Sequence, residues 1–314
     1  MIRYTRARAV ATLAAATAAL ALPARVRAAS KPVGARVGAL ASDVSAEPLY
    51  AQSEGFFARA GLDAQIQTLA NGGAILAAVA SGALDLGFAN LTSIAAARQR
   101  GLPVHLIAPA TLYTSKSPVT VLVKARGSKL RTGADLRGKT IAVSTLRGEL
   151  QIGASAWIDK NGGDAAQARF IELPFAAMSA ALAGGRIDAA MITEPALTAH
   201  KDTIELLADA YTAIADEFLI GGFVASDAWL HDSGDGGKRF SAAILETAKW
   251  ANTHRADTAP ILAKRSGLEE SLIRSMTRAT YGERLAAEQV QPVLDAAVKY
   301  GSLKESLKAK DLFG

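Results

Sequence analysis

One pattern of apolar and polar positions occurs twice in this chain, and the rest of the sequence is arranged around it. In Arg169–Pro195 the residues Phe170–Leu173 are apolar at alternate positions, Met178–Ala183 is helix-forming, and Asp188–Ile192 is a short buried run. Gly184 and Gly185 stop the helix, because glycine just past a helix end takes a left-handed conformation without a Cβ clash. The earlier copy is Ala74–Thr92, with Val79, Gly82 and Asp85 preceding Leu182, Gly185 and Asp188 by a constant 103 residues. Both copies end in a strand beside polar residues, Asn90 in one and Thr193-Glu194 in the other. A helix, Gly, x, x, Asp, strand sequence is by itself a common connection, but the constant offset predicts two similar α/β lobes with a ligand cleft between them.

The elements around the repeats follow from the same patterning. Val33–Leu40 reads as the first strand, Pro48–Ala60 as a helix closed by Gly61, and Ala64–Leu69 as the second strand. Leu84–Ala89 and Val104–Pro109 are further strands, and Thr111–Ser115 is a polar exit. Val119–Val123 opens the second lobe after a crossover at Lys116–Pro118. Asp135–Ser144 supplies its counterpart of the first strand, and Gln151–Lys160 is a helix. Phe218–Ala225 reads as one strand carrying the return crossover. Helices are expected at Lys238–His254, Thr258–Ser266, Leu268–Ala279 and Ala286–Tyr300, with no chemistry assigned to them.

The first 28 residues change the electrostatic picture. Arg3, Arg6 and Arg8 precede the 14-residue apolar run Ala9–Leu22, and Val26-Arg27-Ala28 has small residues at signal-peptidase spacing. A membrane-spanning helix needs roughly 20 apolar residues, so a cleaved secretory signal over 1–28 and an exported protein are expected. The whole-chain charge of +6 includes five arginines from this segment and falls to +1 without it. The basic character therefore gives no support to nucleic-acid binding. The remaining 286 residues suit two domains, and 50% hydrophobic content with only 6% aromatics suits short alanine-rich helices packed on sheets. With no cysteine there is no disulfide and no cysteine nucleophile. His105, His200, His231 and His254 lack close ligand spacing, and no Gly-x-Ser-x-Gly elbow occurs, so neither a metal hydrolase nor a serine hydrolase is indicated.

Candidate site residues lie at strand exits, where open α/β sheets place ligands. Ser42 and Asp43 follow the first strand. Asn71 and Gly72 open a helix whose backbone NH groups either receive a ligand or simply make a turn. Asn90 and Thr92 are cleft residues or N-caps. Tyr113 lies in the polar exit, and Ser144, Thr145 and Arg147 follow the strand of the second lobe. Arg147 either pairs with a ligand anion or is a loop arginine, solvated or paired locally with Glu149. Phe175 and Glu194 follow the last two strands of the second lobe. Glu194 accepts hydrogen bonds from a ligand, bridges the lobes, or caps a helix.

In succession, AEPLYAQSEGFFARAGLDAQIQ, SGALDLGFAN, GLPVHLIA, DLRGKTIAVS, FIELPFAAM, AALAGGRIDAAMITEP and VQPVLDAAVKYGSL resemble the substrate-binding proteins of nitrate/sulfonate/taurine-type ABC importers. The resemblance spans nearly the whole chain after the leader. It implies a type II periplasmic binding protein: two α/β lobes, 29–116 with 226–314 and 117–225, joined by a two-stranded hinge. It further implies a monomer without cofactor or metal that closes on one small organic anion or zwitterion and hands it to an inner-membrane permease and ATPase. It places the ligand near Ser42, Asp43, Asn71, Gly72, Asn90, Thr92 and Tyr113 of one lobe and Ser144, Thr145, Arg147, Phe175 and Glu194 of the other. Thiamine-pyrimidine precursors and aromatic acids are alternative cargoes, and a ligand sensor is an alternative role. The enzyme branches sharing this resemblance, thiamine-pyrimidine synthases and aromatic sulfinate desulfinases, look for cysteines that this chain lacks.

Overall fold

A computed structural model describes residues 31–314; the expected leader, 1–28, lies outside the described residues. The chain begins with β1 (Val33–Ala39), α1 (Glu47–Ser53) and α2 (Phe56–Arg59). The sequence predicts one helix over Pro48–Ala60, but Gly55 takes φ 74°, in the left-handed region, and breaks it in two. There follow β2 (Leu62–Thr68), α3 (Gly72–Ala80), β3 (Leu86–Asn90), α4 (Leu91–Gln99), β4 (Val104–Pro109) and β5 (Thr111–Thr114). The expected polar exit is therefore a strand.

The middle of the chain contains β6 (Thr120–Ala125), β7 (Thr140–Val143), α5 (Glu149–Lys160), β8 (Arg169–Glu172), α6 (Phe175–Ala183) and β9 (Ala189–Thr193). Next come α7 (Ala196–Ala199), β10 (Ile204–Ala208), β11 (Glu217–Leu219) and β12 (Gly221–Ser226). The last part is α8 (Asp227–Asp232), α9 (Gly236–Thr253), α10 (Arg255–Ser266), α11 (Glu270–Ser275), β13 (Thr280–Tyr281) and α12 (Ala287–Lys299). Helix α11 ends at Ser275, four residues before the expected end, and Met276 is already extended.

Two five-stranded sheets share one strand order. The first is β2-β1-β3-β12-β4 and the second, read from its matching edge, is β8-β7-β9-β6-β10. In each, only the fourth strand runs against the others: β12 is antiparallel to β3 and β4, and β6 to β9 and β10. Strands β1 and β3 pair at Val37↔Leu86, and β7 and β9 at Ile141↔Ala189, so the register repeats as well. Strand β12 belongs to the first sheet, although the sequence-based division has most of it on the second-lobe side. The single strand expected over Phe218–Ala225 is two strands separated at Ile220.

The repeated aspartate explains how each module locks to its sheet. Asp85 accepts the Arg36 N–H at 2.7 Å and its own N–H donates to the Arg36 carbonyl at 2.9 Å. Asp188 makes the same pair with Thr140, at 2.8 Å in both directions. Gly82 and Gly185, with φ 77° and 66°, turn the chain from helix to strand just before. The strands between carry near-continuous buried runs, as expected where helices cover both faces.

The chain leaves the first sheet through β5 and returns through β11, which pair antiparallel from Glu217↔Thr114 to Leu219↔Leu112. Strand β13 joins the other edge of β5 and completes a three-stranded ribbon. Tyr113 of β5 packs against Phe218 and Tyr211 at centroid separations of 5.0 and 5.3 Å, giving this crossover an aromatic core.

Candidate ligand-binding cleft

The carboxyl ends of β1, β3, β7 and β9 supply the polar loops that open α/β sheets use for ligands. After β1, Asp43 is 4% exposed and is fully engaged by the protein itself. Arg278 forks onto it, Nε to Oδ2 at 3.0 Å and Nη2 to Oδ1 at 2.7 Å. The Ala279 N–H donates to Oδ2 at 2.7 Å, and the hydroxyls of Tyr281 and Tyr50 donate to Oδ1 at 3.0 and 3.2 Å. With both oxygens taken, Asp43 anchors the β1 loop to the segment after α11 rather than offering an acceptor to a ligand.

The neighbouring groups are in the opposite condition. Ser42 Oγ and both carboxylate oxygens of Glu47 are buried and make no hydrogen bond among the described residues. Burial pushes the Glu47 carboxyl well above the ordinary carboxylate range, and the nearby Asp43 adds to this. Buried polar atoms without partners are rare in folded proteins and mark places where a ligand or water completes the bonding.

Asn71 caps α3, its Oδ1 accepting from the Ala74 N–H at 2.8 Å, and Gly72 begins that helix. A Cβ on Gly72 would sit 3.7 Å from Asn90 Oδ1, so the start of α3 adjoins the end of β3. From there Asn90 and Thr92 reach the second sheet's helix α5. Thr92 donates to Glu149 Oε1 twice, from its N–H at 2.8 Å and its Oγ1 at 2.7 Å, and Asn90 Nδ2 donates to Oε2 at 2.9 Å. Glu149, at the first position of α5, is 2% exposed; burial raises its carboxyl pKa, partly offset by these hydrogen bonds.

Glu194 makes a second link between the same two halves of the molecule. Its Oε2 accepts the Thr198 N–H at 3.0 Å and its Oε1 the Thr198 hydroxyl at 2.9 Å, which caps α7. Oε1 also accepts the Thr277 N–H, from the segment after α11, at 3.2 Å. Of the three roles open for Glu194 in the sequence, cap and bridge are both realised.

The remaining candidates separate. Ser144 is half-buried and Thr145 exposed at the end of β7, and Phe175 begins α6 and packs on the second sheet. Tyr113 is 1% exposed, with its hydroxyl donating to Asp209 Oδ2 at 2.7 Å, so it belongs to the crossover ribbon. Arg147 has φ 59°, a left-handed conformation rare for a residue with a Cβ, and its N–H donates to Gln151 Oε1 at 2.8 Å. It lines a cavity of about 590 Å³ with Gln151, Arg169, Phe170, Lys299 and Tyr300. None of Ser42, Asn71, Asn90 or Thr92 lines that cavity, and Glu149 bonds to Thr92 and Asn90 rather than to Arg147.

Sequence reasoning missed three residues of this region. Glu47 precedes the Pro48 that draws attention to the helix start, Glu149 reads only as a local partner for Arg147, and Arg278 falls in a stretch expected to be helical. Their signal is tertiary, and no local pattern carries it. Among the described residues no cluster of His, Asp or Glu is arranged to hold a metal ion.

The periplasmic aliphatic sulphonate binding protein SsuA of Escherichia coli superposes with TM-score 0.76 at 18% identity, over 90% of this chain and 92% of that one. The alkanesulfonate-binding protein SsuA of Xanthomonas axonopodis pv. citri, bound to MOPS, gives 0.72 at 20% identity over 91% and 99%. The periplasmic nitrate-binding protein NrtA of Synechocystis PCC 6803 gives 0.74 at 15% identity over 90% and 85%. A search of curated protein sequences gives no match. These likenesses show the fold, that of the type II periplasmic binding proteins: two α/β lobes with a cleft between them, joined through the paired crossover strands. The NMT1/THI5-like family model matches residues 44–257, more than half of the sequence and including both repeats, and the chain belongs to that family.

Proposed function

We propose that this protein is the solute-binding component of an ABC importer. Exported to the periplasm through a signal peptide over 1–28, it works as a monomer. It closes its lobes on a small organic anion or zwitterion and hands it to an inner-membrane permease served by an ATPase. The observation that carries this reading is the meeting of Asn90 and Thr92 with Glu149 across two sheets of identical strand order. Hydrogen bonds of this kind exist only when the lobes are together, and a ligand that adds to them shifts the population toward the closed form.

The lobe division read from the sequence is retained with one adjustment. Because β12 pairs within the first sheet, the return point lies between β11 and β12 instead of at Ala225.

Within the sulfonate and nitrate class named for the relatives, the unpartnered oxygens of Glu47 favour a ligand that brings hydrogen-bond donors, as an aminosulfonate does. The same oxygens support a second reading, an amino-substituted heterocycle such as a thiamine-pyrimidine precursor. A thermal-shift screen of the purified protein against sulfonates, taurine, nitrate, aromatic carboxylates and pyrimidine vitamin precursors separates them. Ligand at about 100 times its dissociation constant adds roughly 2.7 kcal/mol of stability. A compound that stabilises the protein and is recovered unchanged supports the binding role; turnover of the compound defeats it.

A further inference from the structure

We infer that Glu149 sets the charge preference of the cleft: its carboxylate is an internal anion, and it makes the site reject ligands that bring only negative charge. The inference rests on the binding-protein reading and names the residue that narrows its ligand class.

Three donors converge on this one side chain from the opposite lobe: the Thr92 N–H, the Thr92 hydroxyl and the Asn90 amide. The Thr92 N–H belongs to the first turn of α4, where backbone donors lack helical partners and the helix dipole favours negative charge. Backbone NH, hydroxyl and amide around two oxygens is also the donor set that holds a sulfonate, nitrate or carboxylate. Here the occupant is already part of the chain. Glu149 is 2% exposed and receives only neutral donors.

Most cations of the surrounding loops are committed away from Glu149. Arg278 is committed to Asp43 through both Nε and Nη2. Arg147 lines a cavity to which none of Asn90, Thr92 and Glu149 contributes. Lys124 is turned to the Ser128 and Leu130 carbonyls and to Glu205. Glu194 is a further buried acid at these exits. A nitrate or alkylsulfonate entering this cleft would lose its hydration, meet like charge, and find the converging donors taken. The ligand class that fits carries N–H donors or a cationic nitrogen toward the acids, with any anionic group held elsewhere.

The test is calorimetric titration of the purified wild type and of Glu149→Ala with nitrate and with methanesulfonate, two anions that bring no N–H donor. Wild type is expected to give no binding into the millimolar range, and the alanine variant, with Thr92 and Asn90 freed, to bind at least one of the two tenfold or more tighter. Glu149→Ser, which leaves a short hydroxyl at the first position of α5, repeats the test if the alanine variant does not fold. Submillimolar binding of either anion by wild type overturns the inference whether or not the variants fold. A folded variant that binds neither anion more tightly than wild type overturns it as well. The binding-protein reading fails separately, in the thermal-shift screen, so that anion binding by wild type defeats the charge preference and leaves that reading standing.

Discussion

Asp43 and Arg278 stand 235 residues apart in sequence and form a two-bond ion pair in which both side chains are more than nine-tenths buried. Through it the loop after the first strand is fixed to the segment after α11, with Tyr50 and Tyr281 donating to the same carboxylate. The pair fixes the loop after β1, and the unpartnered atoms of Ser42 and Glu47 lie in that loop and at the start of the helix that follows it.

Removing one member of this pair leaves the other buried without a counter-charge. Arg278→Ala is therefore expected to cost about 3–5 kcal/mol in urea unfolding, as breaking a buried ion pair does. Asp43→Asn should cost less than Arg278→Ala, because the amide oxygen still accepts one bond and no bare carboxylate remains. Combining Arg278→Met with Asp43→Asn should recover part of the loss. Equal losses for Arg278→Ala and Asp43→Asn, with no recovery in the pair, would mean that the charge is not what matters there.

How far the sequence reached can be traced through these residues. The 103-residue offset of Gly82, Asp85 and Gly185, Asp188 foretold two like modules, and the structure gives the two sheets one strand order. Local signals located strand exits and caps, and Asn71 and Glu194 do cap helices. Side-chain direction is another matter. Asp43 turns to an arginine far along the chain, Tyr113 turns to Asp209, and Arg147 takes a left-handed backbone and lines a cavity with Lys299 and Tyr300. Each outcome depends on a partner supplied by tertiary packing, and no periodicity within the loop encodes it. The split of the first helix at Gly55 and the early end of α11 are the same lesson on the backbone, where a single left-handed or extended residue decides a boundary.

The repeated aspartates make a matched pair of experiments. Asp85→Ala and Asp188→Ala each remove the acceptor of one strand N–H, of Arg36 and of Thr140. Each should cost about 1–3 kcal/mol, the range for leaving a donor unsatisfied. The first should cost more, because Asp85 also takes two guanidinium bonds from Arg36, at 3.0 and 2.6 Å, where Asp188 has only the Lys139 ammonium at 3.2 Å. Denaturant midpoints of the two variants measure the difference. A larger loss at Asp188 would contradict the account of the two modules given by these contacts.

Glu47 gives a pH dependence whose sign is fixed by its surroundings. Burial raises its folded-state pKa well above the ordinary glutamate value of about 4.5, with the charge of Asp43 acting in the same direction. The folded protein therefore holds this proton more tightly than the unfolded chain does. Its contribution to stability is fully present below the unfolded pKa, near 4.5, and is lost as pH rises toward the raised folded value. Glu47→Gln keeps the shape and cannot ionise, so it should escape that loss. The variant is expected to melt close to wild type at pH values near 4 and progressively above it as the pH is raised, the gap widening until the folded-state group has titrated. Ligand-free protein must be used, since a bound donor at the Glu47 oxygens would hold the ionised form and reduce the gap. A melting-temperature difference that is flat with pH would show that Glu47 does not change protonation between the folded and unfolded states. A gap that closes on adding a ligand from the thermal-shift screen would place that ligand's donor against this carboxylate.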